Sequence, residues 1–342
     1  MAQVGYPITT QSFPEFLTGV RAKFHEVIDQ DTKAAQKYSV AKLFESLQDV
    51  SPLIVVENLE GTQKADYTFV PPLAGYLEPR EELEPLPETF AYKGIITSVQ
   101  PYEYAIRLRV SFESIERQDA DYRQKLNWAS KLKSNLERTL SMHTFSFFNN
   151  VRTDPENLPQ WLFTYNDGRK IASTQHPLAN EELGSNILAN SPVLSDTSLE
   201  SALLLAYNWK DDAGKPMPYF GGKVYIITAP ENSKKLFEIL ETPNIPYTSN
   251  FVANVFYGTG RYVGITSPYL SQQNGGKSTR FILVDGEDSP IRQLIFKAPY
   301  YNEWQDYNVY AYVFDVMAAW KIGNIDWRGI VVSEGDNSII TD

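Results

Sequence analysis

The chain has 342 residues, 42% of them hydrophobic and 21% charged, which is enough for about two domains and typical of a globular rather than a disordered protein. Its 42 acidic and 31 basic residues give a formal net charge of −11, which argues against a surface built to neutralise nucleic-acid phosphates. The absence of cysteine excludes disulfides, thiolate metal sites and cysteine nucleophiles.

The sequence also lacks targeting signals. No apolar run approaches the ~20 residues that a membrane span needs, and the N-terminus lacks the basic and apolar regions of a secretory signal. We therefore expect a soluble protein of the cytoplasm. Three histidines offer few groups for acid–base chemistry near neutral pH.

The first predicted elements are two short amphipathic helices. Ser12 and Glu15 form a helix-start signature, and apolar side chains recur at helical spacing over residues 13–28. A second helix is predicted over residues 39–48. This arm cannot bury both apolar faces alone, so we expect it to lie on another surface. The first helix supplies the candidate subunit-interface residues Phe16, Val20 and Phe24.

The next part of the chain predicts an extended two-stranded loop. β-like runs at 54–57, 67–70, 92–99 and 104–112 flank a segment, 71–87, that is rich in proline and glutamate and has little to form a core. Because an isolated ribbon is marginal in water, either a neighbouring molecule holds it or it is a flexible surface insertion. Both interpretations stay open on the residues alone. The candidate interface residues here are Tyr67, Phe69, Leu73 and Tyr92.

The longest helical pattern covers residues 113–148 without glycine or proline and predicts a helix of roughly 50 Å. A mixed remainder follows, so the expected class is α+β. Helices are predicted from Ser195 or Asp196 through Trp209, and from Pro230 to a stop at Pro243. Strands are predicted over residues 223–228, 262–266, 280–284, 293–297, 309–320 and 327–333.

Two glycine motifs imitate nucleotide-binding loops. Gly275-Gly-Lys-Ser-Thr279 has Ser271 where the phosphate loop needs its first glycine, and a strand rather than a helix is expected after it. Without a helix N-terminus no row of free amides faces a phosphate, so the motif predicts a polar hairpin tip. Gly258-Thr-Gly260 has Val263 in place of the third glycine of a dinucleotide fingerprint, and it predicts a turn.

Catalytic and metal-binding patterns are absent as well. His25, His143 and His176 have no second metal ligand at i+3 or i+4, so no zinc site is predicted. No Gly-x-Ser-x-Gly elbow is present, although a Ser–His–Asp triad can converge in space from anywhere in a chain. We therefore predict no catalytic, cofactor-binding or metal-binding residue, no cofactor, and no enzymatic activity.

The residues after the long helix carry a family resemblance. They are Asn166–Lys170, Ser173–Pro177, Gly184–Asn186, Leu194-Ser195, Ser198–Ala202, Asp212–Pro216, Val224–Pro230 and Gly323–Arg328. Together with the order of arm, loop, long helix and α+β remainder, they resemble the major capsid (head) protein of tailed bacteriophages, and within that family the Mu-like head subunits. The likeness covers essentially the whole chain.

The resemblance implies a tailed-phage major capsid fold. Its parts are an N-terminal arm (1–51), an extended loop (52–112), a spine helix with a peripheral domain (113–180), an axial domain (181–299), and a return strand to the peripheral domain with the C-terminus (300–342). It also implies that arm and loop reach neighbouring copies, and that hexamers and pentamers tile an icosahedral shell around double-stranded DNA.

The resemblance further implies a virion protein that is assembled in the host cytoplasm. Its partners are other copies of itself, a portal, a possible decoration protein, and packaged DNA by weak non-specific contact, which the negative charge suits. Because the arm begins close to Met1, we expect a separate scaffolding protein, with a proteolytically matured form as the alternative. Some relatives crosslink a lysine to an asparagine. Lys64 or Lys93 and Asn308 lie in comparable regions, but we expect non-covalent packing to hold the shell.

Two other functions stay open on the residues alone. One is a cytoplasmic α+β enzyme with a lid formed by residues 52–112, and the other is a phage tail or sheath component. A lid needs a pocket with convergent polar groups, which the sequence does not show. A tail component lacks the order of loop and then long helix.

Overall fold

The structure is a computed structural model that describes residues 53–68, 95–117, 132–178, 182–211, 216–217, 219–243 and 253–340. The two predicted arm helices and the proline-rich segment 71–87 lie outside the described residues. So do six of the candidate interface residues: Phe16, Val20, Phe24, Phe69, Leu73 and Tyr92.

Within these ranges the chain forms four α-helices. The predicted long helix is helical at both of its described ends, while residues 118–131 lie outside the described residues. The capping signal at Ser195 is confirmed, because the Ser195 hydroxyl accepts from the Ser198 amide and the Ser198 hydroxyl from the Ser195 amide. The helices are α1 Phe112–Arg117, α2 Leu132–Asn149, α3 Asp196–Tyr207 and α4 Ser233–Glu241.

The described residues also form thirteen strands, numbered β1 to β13 in chain order. They are Val55–Asn58, Ala65–Thr68, Ile96–Val99, Glu103–Ser111, Leu162–Phe163, His176–Pro177, Leu183–Gly184, Val224–Thr228, Tyr262–Thr266, Phe281–Asp285, Ile291–Asp306, Ala311–Asn324 and Ile330–Ser333. The strand predicted over 262–266 is confirmed at both ends.

The larger sheet is built around the long antiparallel hairpin of β11 and β12. β4 pairs antiparallel with β12, β1 pairs parallel with β11, and the order is β1–β11–β12–β4, with the short strand β5 beside β12. The sequence predicted only residues 293–297 for β11, which has 16 residues. Its outer half lacks a local apolar pattern and is extended because β12 supplies its hydrogen-bond partners.

The smaller sheet has the order β13–β10–β8–β9. Every residue of β8, β10 and β13 is buried. A strand that is covered on both faces has a nearly continuous run of apolar residues in its sequence. That local signal is the reason these strands could be predicted. β13 lies in this sheet although residues 300–342 were assigned to the peripheral domain, and β11 runs across the proposed boundary at 299.

The four β-like runs between residues 54 and 112 pair differently from the predicted ribbon. Only the inner two, β2 and β3, pair with each other. The outer two, β1 and β4, join opposite edges of the larger sheet. In β4 the side chains of Leu108 and Val110 are buried, and they lie opposite Phe314 and Tyr312 of β12. Burial against a strand about 200 residues away therefore decides the pairing.

The carboxyl-terminal half of α2 packs where the two sheets meet. Phe147 and Phe148 are fully buried in one cluster with Ile322 of the larger sheet and Ile227 of the smaller sheet. A second cluster lies on the other face of the smaller sheet, beneath α3 and α4. The smaller sheet is thus covered on both faces, and α2 joins it to the larger one.

Candidate functional site

A cavity of about 460 Å³ lies between α2 and one face of the larger sheet. Asn135 and Thr139 line it on the helix side. The other walls are mainly aromatic and aliphatic: Tyr102, Tyr104, Ile106, Trp161, Val316 and Trp320. Such walls favour packing of apolar groups over proton transfer.

An aromatic stack lies beside this cavity. The ring of Tyr104 is 4.2 Å from that of Trp320, and His143 stacks on Trp161 at 4.4 Å. The Trp320 indole N–H donates to His143 Nδ1 at 3.2 Å. Burial lowers the pKa of His143 to about 4 and raises that of Tyr104, so both side chains are neutral near pH 7. The Tyr104 hydroxyl has no hydrogen-bond partner among the described residues.

The other described histidine takes part in a buried polar network. His176 Nδ1 lies 2.6 Å from Asp167 Oδ2, with both side chains almost fully buried. The second ring nitrogen, Nε2, faces Asn186 Oδ1 at 3.2 Å rather than a serine hydroxyl. The Asn186 amide in turn donates to the backbone carbonyls of Ile171 and Trp327. Among the described residues, the second ring nitrogen therefore meets an amide oxygen and not a hydroxyl, and the geometry of the Asp–His pair is that of a structural cross-link.

The Gly275–Thr279 motif is followed by strand β10 and not by a helix, as expected. The predicted hairpin tip is wrong, because β9 and β10 are not neighbours in the sheet. Instead the motif begins directly after a short 3₁₀ turn, Gln272–Asn274. Its first residue, Gly275, closes that turn with a φ of +82°. Lys277 forms ion pairs with Glu334 and Asp336. A phosphate would have to displace both carboxylates.

Of the candidate interface residues, the structure describes Tyr67 alone. Its hydroxyl donates to Glu57 Oε2 at 2.5 Å, and Glu57 pairs with Arg292 at 3.2 Å. The ring packs against a small apolar cluster that includes Val99 and Leu294. Tyr67 is thus held within its own chain, where it fastens the β2–β3 pair to the larger sheet. Its role between subunits stays a prediction.

The sequence analysis did not identify the end of the β11–β12 hairpin as a possible contact surface. Tyr307, Val309 and Tyr310 are exposed there by 67%, 51% and 69%. Tyr310 has a φ of +47°, a left-handed conformation that favours glycine. Exposed aromatic groups that cluster at the end of a hairpin are typical of contact surfaces. The turn has neither glycine nor proline, but it contains Asp306 and Asn308, and the Asn308 amide donates to Asp306 Oδ1, a local signal that the sequence interpretation did not use.

The part of the chain that the structure describes contains no group of three or more His, Cys, Asp or Glu side chains arranged to hold a metal ion. Nor is any described helix long and apolar enough to cross a membrane.

No protein-family model matches the chain, and neither does any curated protein. Solved structures do match. The capsid of an empty GTA particle is 10% identical with a TM-score of 0.50, over 96% of this chain and 98% of that one. The capsid of Ralstonia phage GP4 is 13% identical with a TM-score of 0.50, over 85% and 88%. This chain has a phage capsid fold. The α+β, tailed-phage major capsid fold predicted from the sequence is confirmed.

Several residues that carried the sequence resemblance to phage capsid proteins lie together in the fold. Asp167, His176 and Asn186 form the buried network, which reaches the Trp327 carbonyl. The Trp327 ring stacks on His176 at 4.8 Å. A Cβ on Gly184 would lie 2.4 Å from that indole, so glycine is required for this close approach. These dispersed motifs therefore build one internal joint of the capsid fold.

Proposed function

We propose that this protein is the major capsid subunit of a tailed phage or prophage head, nearest to the Mu-like head subunits, and that it has no catalytic role. Its copies assemble into hexamers and pentamers that tile an icosahedral shell around double-stranded DNA. The extent of the fold likeness is the main support, since the alignment covers 96% of this chain and 98% of the GTA capsid chain.

In this proposal each successive part of the chain has its own structural role. The arm, 1–51, and the extended loop, 52–112, contact neighbouring copies. Residues 113–180 and the return strand β12 belong to the peripheral domain, and residues 181–299, with β13 beside β10, form the axial domain around the symmetry axes.

The proposed partners are a separate scaffolding protein, a portal and, optionally, a decoration protein. The net charge of −11 suits weak, non-specific contact with the packaged DNA. The protein is then located in the virion, after assembly in the host cytoplasm.

The exposed hairpin tip supports self-association. Tyr307, Val309 and Tyr310 leave apolar surface in water that a neighbouring copy can cover. Burial of apolar surface contributes roughly 25 cal/mol per Å². The free energy gained at one contact is small, but a closed shell repeats the same contact many times, and the repeated contacts together stabilise the assembly.

Negative-stain electron microscopy of the purified full-length chain, coexpressed with its scaffolding protein and checked by sizing chromatography, tests the proposal. We expect closed particles of uniform diameter, on the order of hundreds of ångströms. Open tubes indicate a tail or sheath component. A small closed oligomer contradicts the capsid role and favours an enzyme with a lid over residues 52–112.

A matched pair of arm variants tests the predicted contact of the arm. Phe24→Glu places a charge on the apolar face of the predicted helix, whereas Lys23→Glu changes the adjacent polar position. We expect Phe24→Glu to abolish closed particles and leave soluble chain, while Lys23→Glu assembles normally. Normal particles from Phe24→Glu contradict a role for this face.

Mass spectrometry of denatured particles tests for the lysine–asparagine crosslink. We expect monomer mass alone, because no local feature of the sequence holds Lys64 or Lys93 against Asn308. A ladder of linked subunits contradicts this expectation.

A further inference from the structure

The structure explains both glycines of the Gly275–Thr279 motif, although the motif is not a phosphate loop. Gly275 adopts a left-handed conformation at the end of a 3₁₀ turn. A Cβ on Gly276 would lie 2.0 Å from the carbonyl oxygen of Leu270, so the loop can fold back only with glycine there. The motif therefore brings Lys277 and the residues after it against a particular neighbour.

That neighbour is the segment that follows β13. Lys277 Nζ lies 2.8 Å from Glu334 Oε2 and 2.7 Å from Asp336 Oδ2. The Thr279 hydroxyl donates to the Glu334 carbonyl at 2.7 Å. Gly335 lies between these carboxylates, and a Cβ there would stand 2.0 Å from the Thr279 carbonyl oxygen. Loop and C-terminal segment are thus in direct backbone contact.

Arg280 extends this contact to the end of α2. Its Nε and one Nη donate to the two Glu334 carboxylate oxygens at 3.0 and 3.1 Å. Its other Nη donates to the carbonyls of Phe148 and Asn149 at 3.0 and 2.9 Å. The last carbonyls of a helix lack partners within the helix and attract cations. One guanidinium therefore binds the helix end and the C-terminal segment together.

The ion pairs differ in exposure. The side chains of Arg280 and Glu334 are 12% and 8% exposed, while those of Lys277 and Asp336 are 35% and 34% exposed. Burial acts against ionisation of Glu334, but Arg280 and Lys277 more than offset it and lower the pKa of its carboxyl. Glu334 is therefore charged near neutral pH and is the centre of the cluster.

We propose that Lys277, Arg280, Glu334 and Asp336 form a latch that couples the carboxyl end of α2 to the C-terminal segment 334–340. When Glu334 loses its charge, the turn that follows Phe148 and the C-terminal segment loosen together, while Phe147 and Phe148 stay packed between the two sheets. The coupling follows from Arg280, which makes the contacts on both sides. This device does not depend on the role of the chain in a shell.

Hydrogen–deuterium exchange of the full-length, unassembled chain tests the latch. Glu334→Gln removes the charge and keeps the shape, and Glu200→Gln on the exposed side of α3 is the matched control. We expect Glu334→Gln to raise exchange about tenfold or more in both segments 146–153 and 334–340, with β12 unchanged. Glu200→Gln should match the wild type. A rise in one segment alone, a rise throughout the chain, or no change overturns the proposal.

Lys277→Met keeps the proposal testable if Glu334→Gln does not fold. It removes only the more exposed cation and leaves the pairing of Arg280 with Glu334 intact. We expect exchange to rise a few-fold in segment 336–340 and to stay at the wild-type rate in segment 146–153. A helix end that loosens equally in Lys277→Met shows that Arg280 is not the coupling residue and overturns the latch.

Discussion

The acid sensitivity of the fold should depend on His143. Its side chain is 6% exposed, stacks on Trp161 and accepts a hydrogen bond from the Trp320 indole. The nearest other titratable ring is that of Tyr104, which is neutral at and below pH 7. Burial lowers the pKa of His143 to about 4, so the folded chain holds this imidazole unprotonated through most of the acidic range.

The expected loss of stability follows from the two protonation equilibria. In the unfolded chain the imidazole takes up a proton near pH 6.5, and in the folded chain near pH 4. Between these values only the unfolded state gains the proton, so each pH unit lowers the free energy of unfolding by up to about 1.36 kcal/mol. The full loss by pH 4 is about 3 kcal/mol, a large part of the ~5–15 kcal/mol of a typical domain.

Urea denaturation of the unassembled chain, followed by circular dichroism at several pH values between 7 and 4.5, measures this loss. His143→Gln keeps an acceptor for the Trp320 N–H but cannot be protonated. We expect its free energy of unfolding to be lower at pH 7 and to change less steeply towards acid than that of the wild type. Equal slopes for the wild type and His143→Gln would refute the reasoning.

Three further substitutions probe single contacts. Gly184→Ala sets a Cβ 2.4 Å from the Trp327 indole and should lower the free energy of unfolding by about 1–3 kcal/mol in urea; an unchanged midpoint contradicts this packing. Arg107→Ala should destabilise more than Asp315→Asn, because it leaves the Asp315 carboxylate, 3% exposed, without its two guanidinium hydrogen bonds, whereas Asp315→Asn leaves only the half-exposed Arg107 without its ion pair. Equal costs argue against this asymmetry. Asn186→Asp replaces the amide donor with a carboxylate oxygen that faces two backbone carbonyls, and it should lower the free energy of unfolding by about 3 kcal/mol, measured by thermal unfolding. A wild-type melting temperature refutes the assigned amide orientation.

The sequence predicted those elements whose signals are local. A capping residue, Ser195 or Asp196, predicts the start of α3, and uninterrupted apolar runs predict β8 and β10. These signals depend on residues within one or two turns of the chain, so no tertiary information is needed to recognise them.

Elements that depend on distant partners were predicted less well. β4 belongs to the larger sheet because it pairs with β12, and the bidentate ion pair of Arg107 with Asp315 joins residues 208 positions apart. No local pattern encodes that pairing. The turn between β11 and β12 was missed although Asp306 and Asn308 are common turn residues, because the left-handed position is occupied by Tyr310 and not by glycine.

The residues that stabilise the described fold are buried and polar, whereas those available for contact with a partner are exposed and apolar. The joint around Asn186 and Trp327 is buried and polar, with donors matched to acceptors inside one chain. The hairpin tip at Tyr307 and Tyr310 is exposed and largely apolar. Buried polar groups are costly unless paired, so they specify one internal arrangement, whereas exposed apolar groups gain by contact with any complementary surface. Substitutions at the tip can therefore change association at little cost in stability, and substitutions in the joint cannot.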